Sequence, residues 1–150
     1  MRKKEKEMTD RAEIDATIRS ARVLRLGLVD GKEPYVVPLS FGYDGGSLYF
    51  HCAPKGRKLD VIRKNDLVCF EVDELLSIAE AADACGWGAR YRSVMGTGRA
   101  VILEDPESKR RGLAAIMAQY SNRAHTFPDR EVDRTCVVRI DVTSLSGKRT

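Results

Sequence analysis

The sequence predicts a mainly β domain of the α+β class, an antiparallel barrel of roughly six strands with peripheral helices, and three observations carry that expectation. β-rich runs recur between Gly-bearing turns at Asp30-Gly31-Lys32 and Asp44-Gly45-Gly46, the pattern of an antiparallel meander. Two capped amphipathic stretches, after Asp10 and after Asp105, lie among them. The last run, Cys136 to Val142, alternates Val138, Ile140 and Val142 with Val137, Arg139 and Asp141, giving one apolar and one mixed face. At 150 residues the chain reads as one domain, residues 1–150, with a charged N-terminal arm over about 1–9.

The elements follow in order. Asp10 with Glu13 makes a capping-box pattern, and Ile14, Ile18 and Ala21 recur at helical spacing, so a helix is expected over Arg11–Ser20. Strands are expected over Val23 to Val29, Tyr35 to Tyr43 and from Leu48 to Cys52. Pro38 falls within the second of these, where a missing N–H donor points to an edge, a bulge or a ligand-facing break. A break there would leave the amides of Leu39 and Ser40 free to bind a ligand. A helix over Lys58 to Lys64 and a strand over Leu67 to Asp73 come next, and residues 74–83 are ambiguous between a short helix and a loop. Trp87 sits between Gly86 and Gly88, with burial in the core as the default reading and a pocket wall as the alternative. Tyr91 to Leu103 has strand composition, and Gly96 and Gly98 mark a bulge or a close backbone approach. Asp105 caps the clearest helix, with Pro106 in its first turn and Leu113, Ile116, Met117 and Tyr120 on one face. Its cluster Lys109, Arg110 and Arg111 is expected to be solvated. Phe127-Pro128-Asp129 opens a linker or a short turn of helix before the last strand.

The stretch from Ser47 to Lys64 carries the chemistry. Ala53-Pro54-Lys55-Gly56 breaks the strand and delivers Arg57 and Lys58 to the first turn of a helix, where unpaired amides and the positive end of the helix dipole favour an anion. A planar guanidinium fork beside a compact ammonium suits a phosphate. The bland alternative is a pair of solvated cations at an exposed helix start.

Bulk properties exclude several classes. The net charge of +4 is mild, and no basic stripe with interleaved aromatics is present, so nucleic acid is not expected as a partner. No apolar run is long enough to span a bilayer and the charged N-terminus lacks a following apolar segment, so a cytoplasmic protein without membrane association is expected. Cys52, Cys69, Cys85 and Cys136 have no metal-ligand spacing and are expected reduced, with Cys69 a small buried residue.

Pro38-Leu39-Ser40-Phe41-Gly42-Tyr43, Leu48-Tyr49-Phe50-His51-Cys52-Ala53 and Gly56-Arg57-Lys58-Leu59-Asp60 resemble the flavin-binding split-barrel superfamily of the pyridoxamine 5′-phosphate oxidases. Within it the chain is most similar to the Nim, or 5-nitroimidazole-resistance, branch. Ala84-Cys85-Gly86-Trp87-Gly88, Tyr91-Arg92-Ser93-Val94-Met95-Gly96 and Asp141 with Gly147-Lys148 extend the resemblance over about Thr9 to Lys148. It implies an FMN-binding split barrel that forms a homodimer with cofactors at the interface. Arg57 and Lys58 would hold the FMN phosphate, while the Pro38, Leu39 and Ser40 backbone and His51-Cys52 would face the ring. Trp87, Arg92 and Ser93 would approach from the partner. The implied activity passes electrons from flavin to a small-molecule substrate such as a nitro compound, with His51 delivering the proton and NAD(P)H docking transiently as donor. The chain ends shortly after Lys148, without the substrate-binding C-terminal region of the true oxidases, so the vitamin reaction is not expected. A non-catalytic flavin-binding or sensing module, or a binder of haem or a deazaflavin coenzyme, is the alternative.

Overall fold

The computed structural model describes residues 4–150. Part of the expected N-terminal arm, residues 1–3, lies outside the described residues. Six strands of six residues or more make the sheet: β2 (Leu24–Asp30), β3 (Glu33–Leu39), β5 (Ser47–Cys52), β6 (Leu67–Ala79), β7 (Gly88–Leu103) and β8 (Cys136–Arg149). Two two-residue strands, β1 (Glu7–Met8) and β4 (Gly42–Tyr43), join them. All pairings are antiparallel, in the order β3-β2-β6-β7-β8-β5-β4, with β1 beside β8. The six-stranded expectation therefore describes the long strands.

The barrel is split rather than closed. β3 and β4 lie at opposite ends of the strand order, yet only Ser40 and Phe41 separate them in the chain. The expected single strand from Tyr35 to Tyr43 is thus two strands on opposite margins of one sheet. Pro38 sits on β3, which pairs with β2 alone, so its missing N–H falls at an edge as expected. The strand runs through Pro38 and breaks at Ser40.

Four helices pack around the sheet: α1 (Arg11–Ser20), α2 (Arg57–Lys64), α3 (Pro106–Tyr120) and α4 (Asp129–Arg134). Asp10 caps α1 through the Ala12 amide at 3.0 Å, and Asp105 caps α3 through the Ser108 amide at 2.8 Å. Leu24, Leu26, Leu48, Phe50, Leu59 and Ile140 are fully buried in the main core. The other face of β5 and β8 forms a second core, in which Val137 meets Leu103, Leu113, Ile116 and Val132, with Tyr49 packed against them. The mixed face of the last strand is therefore divided between solvent and the α3–α4 layer. The basic cluster of α3 is only partly solvated, because Arg110 pairs with Asp129 and Lys109 Nζ donates to the Val132 carbonyl at 3.2 Å.

Two expectations are corrected. Residues 74–83 form neither helix nor loop at first, since β6 continues to Ala79 opposite Gly88, with a register shift between Leu75 and Ser77. A long partner strand overrides the helix-forming composition of this segment. The last strand extends to Arg149 rather than ending at Val142, because β7 and β1 both offer it ladders. Within the charged N-terminal arm, Met8 is buried and pairs with Gly147. A Cβ on Gly147 would lie 2.8 Å from Met8, so glycine lets the two backbones approach. The expected bulge is present: the β7–β8 register shifts between Thr97 and Gly98.

Candidate functional site

β5 ends at His51-Cys52, and the turn through Gly56 leads into α2. Gly56 adopts φ 147°, while a Cβ added there would meet nothing within 4 Å. Glycine is demanded by the backbone angle, not by crowding. The Gly56 carbonyl accepts the Leu59 and Asp60 amides at 3.0 and 3.2 Å. The amides of Arg57 and Lys58 have no acceptor among the described residues, and the Lys58 ammonium has no carboxylate partner among them. One free cation and two free amides thus share the start of a helix, where the dipole adds to their pull on an anion.

Arg57 is placed differently. Its Nε donates to Asp30 Oδ2 at 2.9 Å and its Nη2 to Glu33 Oε2 at 3.2 Å. Its guanidinium carbon lies 4.6 Å from the centroid of the Tyr35 ring. Asp30, Glu33 and Tyr35 were not singled out by sequence reasoning. Their signal was acidic residues flanking the Gly31 turn, a common surface composition until the fold brings α2 beside it.

His51 lies opposite Val137 in the β5–β8 ladder. Partial burial lowers its pKa from the ordinary imidazole value, so the neutral ring prevails at neutral pH. Cys52 lies opposite Cys136. Burial first, then the neighbouring Cys136 thiol, push Cys52 up to about 11 against the weaker pull of Lys58 and Arg63. It is a thiol at neutral pH, not a nucleophilic thiolate. At the split, the Phe41 amide donates to Tyr120 Oη at 3.0 Å, and that hydroxyl donates to the Arg22 carbonyl at 2.9 Å.

Trp87, Arg92 and Ser93 occupy a different region, on the projecting β6–β7 hairpin. Trp87 is 53% exposed, and its Nε1 donates to the Ala81 carbonyl at 2.9 Å. The default of a core tryptophan is overturned, because the hairpin tip extends beyond the barrel. Arg92 Nη2 donates to Glu74 Oε2 at 3.1 Å, while its Nε is buried without a partner. Ser93 lies between Asp73 and Lys148. The ladders connect His51 to Val137 and Val137 to Leu103, and Arg92 precedes Leu103 by about 35 Å of strand at ~3.3 Å per residue. The fold groups the α2 start with the end of β5 and leaves Trp87, Arg92 and Ser93 well away along the β6–β7 hairpin.

The outer sheet face adds two adjoining grooves. One, of about 500 Å³, runs over Arg25, Gly27, Cys69, Met95, Thr97 and Ser144. The other, of about 310 Å³, shares Gly27, Val36, Cys69 and Thr97 with it and adds Tyr35 and Leu67. Cys69 is exposed here, contrary to expectation: Val68, Phe70 and Val72 take the inward positions of β6, and strand alternation sends Cys69 outward. A Cβ on Gly27 would lie 2.5 Å from Cys69 Sγ. An isolated glycine within Leu26-Gly27-Leu28 was the available signal for this groove. Val36, Leu67 and Met95 are exposed apolar side chains bordering these grooves. No group of metal-binding side chains occurs among the described residues, and none of their helices is long and apolar enough to cross a membrane.

Residues 10–149 match the family described as pyridoxamine 5'-phosphate oxidase. The chain belongs to this family. A Bacteroides thetaiotaomicron protein provisionally assigned to 5-nitroimidazole antibiotic resistance is 31% identical, with 95% of this chain and 85% of that one covered and a TM-score of 0.84. This pyridoxamine 5'-phosphate oxidase family member is thereby consistent with the nitroimidazole-resistance branch. A FAD-binding protein from Mesorhizobium loti shares the fold at 24% identity and a TM-score of 0.71, covering 96% of each chain. A FAD and haem binding protein from Mycobacterium smegmatis does so at 19% identity and a TM-score of 0.86, covering 97% of this chain and 73% of that one. An uncharacterized Rhizobium meliloti protein is 28% identical over 89 residues, which is 59% of this chain and 52% of that one. The family member spans about half the length of that curated relative.

Proposed function

We propose that this member of the pyridoxamine 5'-phosphate oxidase family is a flavin-binding oxidoreductase that holds FMN and reduces a small acceptor such as a nitro group. The observation that carries the reading is the unengaged Lys58 ammonium beside two unpaired amides at the Gly56 turn, in a chain of this family. The likeness to the Bacteroides protein supports a nitroimidazole-type acceptor.

The residues fit a flavin phosphate. Lys58 and the amides of Arg57 and Lys58 would bind it, and the backbone at Leu39 and Ser40, on the open margin of β3, would orient the ring. When bound, the flavin supplies two-electron transfer between a donor such as NAD(P)H and the acceptor. His51 is a neutral imidazole at neutral pH, so it holds no proton to give until it takes one up, and proton delivery through it strengthens as pH falls. The exposed apolar side chains Val36, Leu67 and Met95 around the two grooves support a homodimer, with a second copy covering that face and excluding water. Trp87, Arg92 and Ser93 would reach the partner's site, since they lie far along β7 from their own. The reading places the protein in the cytoplasm.

The test is the visible absorption spectrum of purified protein, before and after anaerobic NADH or NADPH, followed by a nitroimidazole. Flavin bands that bleach and return on adding the nitro compound support the proposal. Flavin bands that respond to neither would assign a binding or sensing role. A haem or deazaflavin spectrum, or no flavin uptake from added FMN, would overturn it.

A further inference from the structure

The two cations at the start of α2 have unlike surroundings. Lys58 has no carboxylate partner among the described residues. Arg57 is held from three directions by one hairpin: Asp30 at 2.9 Å, Glu33 at 3.2 Å and the face of Tyr35 at 4.6 Å. Asp30 and Glu33 are the closing pair of the β2–β3 ladder, and Glu33 and Tyr35 share one face of β3 because they are two residues apart. A phosphate approaching this guanidinium would come up beside two carboxylates, and like charges repel at that range. The clamp also suits the residue type, because a guanidinium offers five donors in a fixed planar fork that meets two carboxylates while its carbon lies over a ring, whereas an ammonium is a compact point charge without that fixed geometry.

Resting on the flavin reading above, we propose that Arg57 is a positioning residue rather than a phosphate ligand, pinning the β2–β3 hairpin to the start of α2 together with Asp30, Glu33 and Tyr35. The phosphate is then carried by Lys58 and the two amides. The clamp matters to the site because the pinned hairpin contains Tyr35 and Val36, which wall the smaller groove, and leads into Pro38, Leu39 and Ser40 at the split.

The experiment compares FMN with riboflavin, which lacks the phosphate, so that the ratio of riboflavin Kd to FMN Kd isolates the phosphate contact. Wild type, Lys58→Ala, Arg57→Ala, Arg57→Lys and the double variant Asp30→Asn with Glu33→Gln are titrated by flavin fluorescence, and amide hydrogen exchange is followed across residues 30–37. Lys58→Ala is expected to lower the ratio by about tenfold, the effect of losing one charge-assisted hydrogen bond. Arg57→Ala, Arg57→Lys and the carboxylate double variant are expected to keep the ratio within about twofold of wild type. They should weaken both flavins together, by roughly twofold to fivefold, the range of exposed ion pairs, and speed exchange in the hairpin. The double variant keeps side-chain volume and guards against a variant that fails to fold.

A ratio that falls in Arg57→Ala as far as in Lys58→Ala would overturn the assignment. So would selective tightening of FMN in the carboxylate double variant, which would mean that Asp30 and Glu33 compete with phosphate for Arg57. Unchanged affinity for both flavins in the Arg57 and carboxylate variants would remove the positioning role, whatever the exchange shows. If wild type binds neither flavin, the flavin reading itself has failed and the positioning role falls with it, an outcome distinct from failure confined to Arg57.

Discussion

Gly42→Ala should be among the most damaging single-methyl additions in this chain. Gly42 lies on β4, opposite Tyr49, and a Cβ there would stand 2.3 Å from the Ala115 carbonyl carbon and from the Ile116 amide nitrogen of α3. Ordinary contact begins at 3.4 Å, so helix or strand must retreat by about 1 Å, and both obstacles are backbone that cannot rotate away. The retreat loosens Leu113 and Ile116 in the second core and pulls on the Phe41-to-Tyr120 hydrogen bond at the split. Overpacking together with a weakened hydrogen bond costs about 3 to 4 kcal/mol, or a fall in Tm of ~10 °C for a domain of this size. Gly112→Ala is the control. Its Cβ would meet only side-chain atoms, Val137 Cγ1 at 2.8 Å and Tyr49 Cδ1 at 3.0 Å, and the crowding is offset by about 0.5–1 kcal/mol of helix propensity. Urea and thermal denaturation followed by circular dichroism would compare the two. A Gly42→Ala protein within about 1 kcal/mol of wild type, or no less stable than Gly112→Ala, would refute the backbone-contact argument.

Acid should unfold the chain partly through Asp44, whose carboxylate accepts the Gly46 and Ser47 amides at 2.9 and 2.8 Å and the Tyr49 hydroxyl at 2.8 Å. Burial pulls its pKa up, but these donors outweigh burial and leave it below the ordinary carboxylate value. The unfolded chain then binds more protons at acid pH, so this stabilisation is present above about pH 4 and lost as pH falls through the lowered value. Asp44→Asn should be less stable than wild type at pH 7 and should lose less of its stability on acidification. Equal losses from pH 7 to pH 3 in both proteins would count against it. Of the four cysteines, Cys69 and Cys85 are exposed while Cys136 is buried and Cys52 is held as a thiol. A disulfide reagent at pH 8 should therefore label the exposed pair first, and under the proposed dimer Cys69 should become protected as the protein concentration rises. Rapid labelling of all four in the native state would sink this reading. For the proposed reaction, His51→Ala should keep its flavin and slow nitro reduction by about 100-fold, the low end of proton-transfer contributions; unchanged turnover would remove His51 from the mechanism.

Local signals made much of this architecture legible. Asp10 and Asp105 marked their helices because capping is decided by a residue and its immediate neighbours. Gly31 and Gly45 marked turns because a positive φ, 65° and 104° here, is a property of the residue itself. Gly56, at φ 147°, marked the turn into α2 for the same reason. Residues 74–79 misled because helix propensity is weak beside a sixteen-residue partner strand that supplies a ladder. Cys69 and Trp87 were misread because apolar residue type says what is buried on average, whereas exposure follows from strand phase and from how far a hairpin projects.

The sequence by itself therefore determined the β-rich class, the family and the helix caps, since each rests on contacts within a few residues or on a shared pattern. Only the tertiary structure decided that Lys58 has no carboxylate partner among the described residues while Arg57 is bound by Asp30, Glu33 and Tyr35, and that Ser40 and Phe41 bridge the open margins of the sheet. Those facts depend on which distant segments the closing core brings within hydrogen-bond reach, and no spacing along the chain encodes that distance.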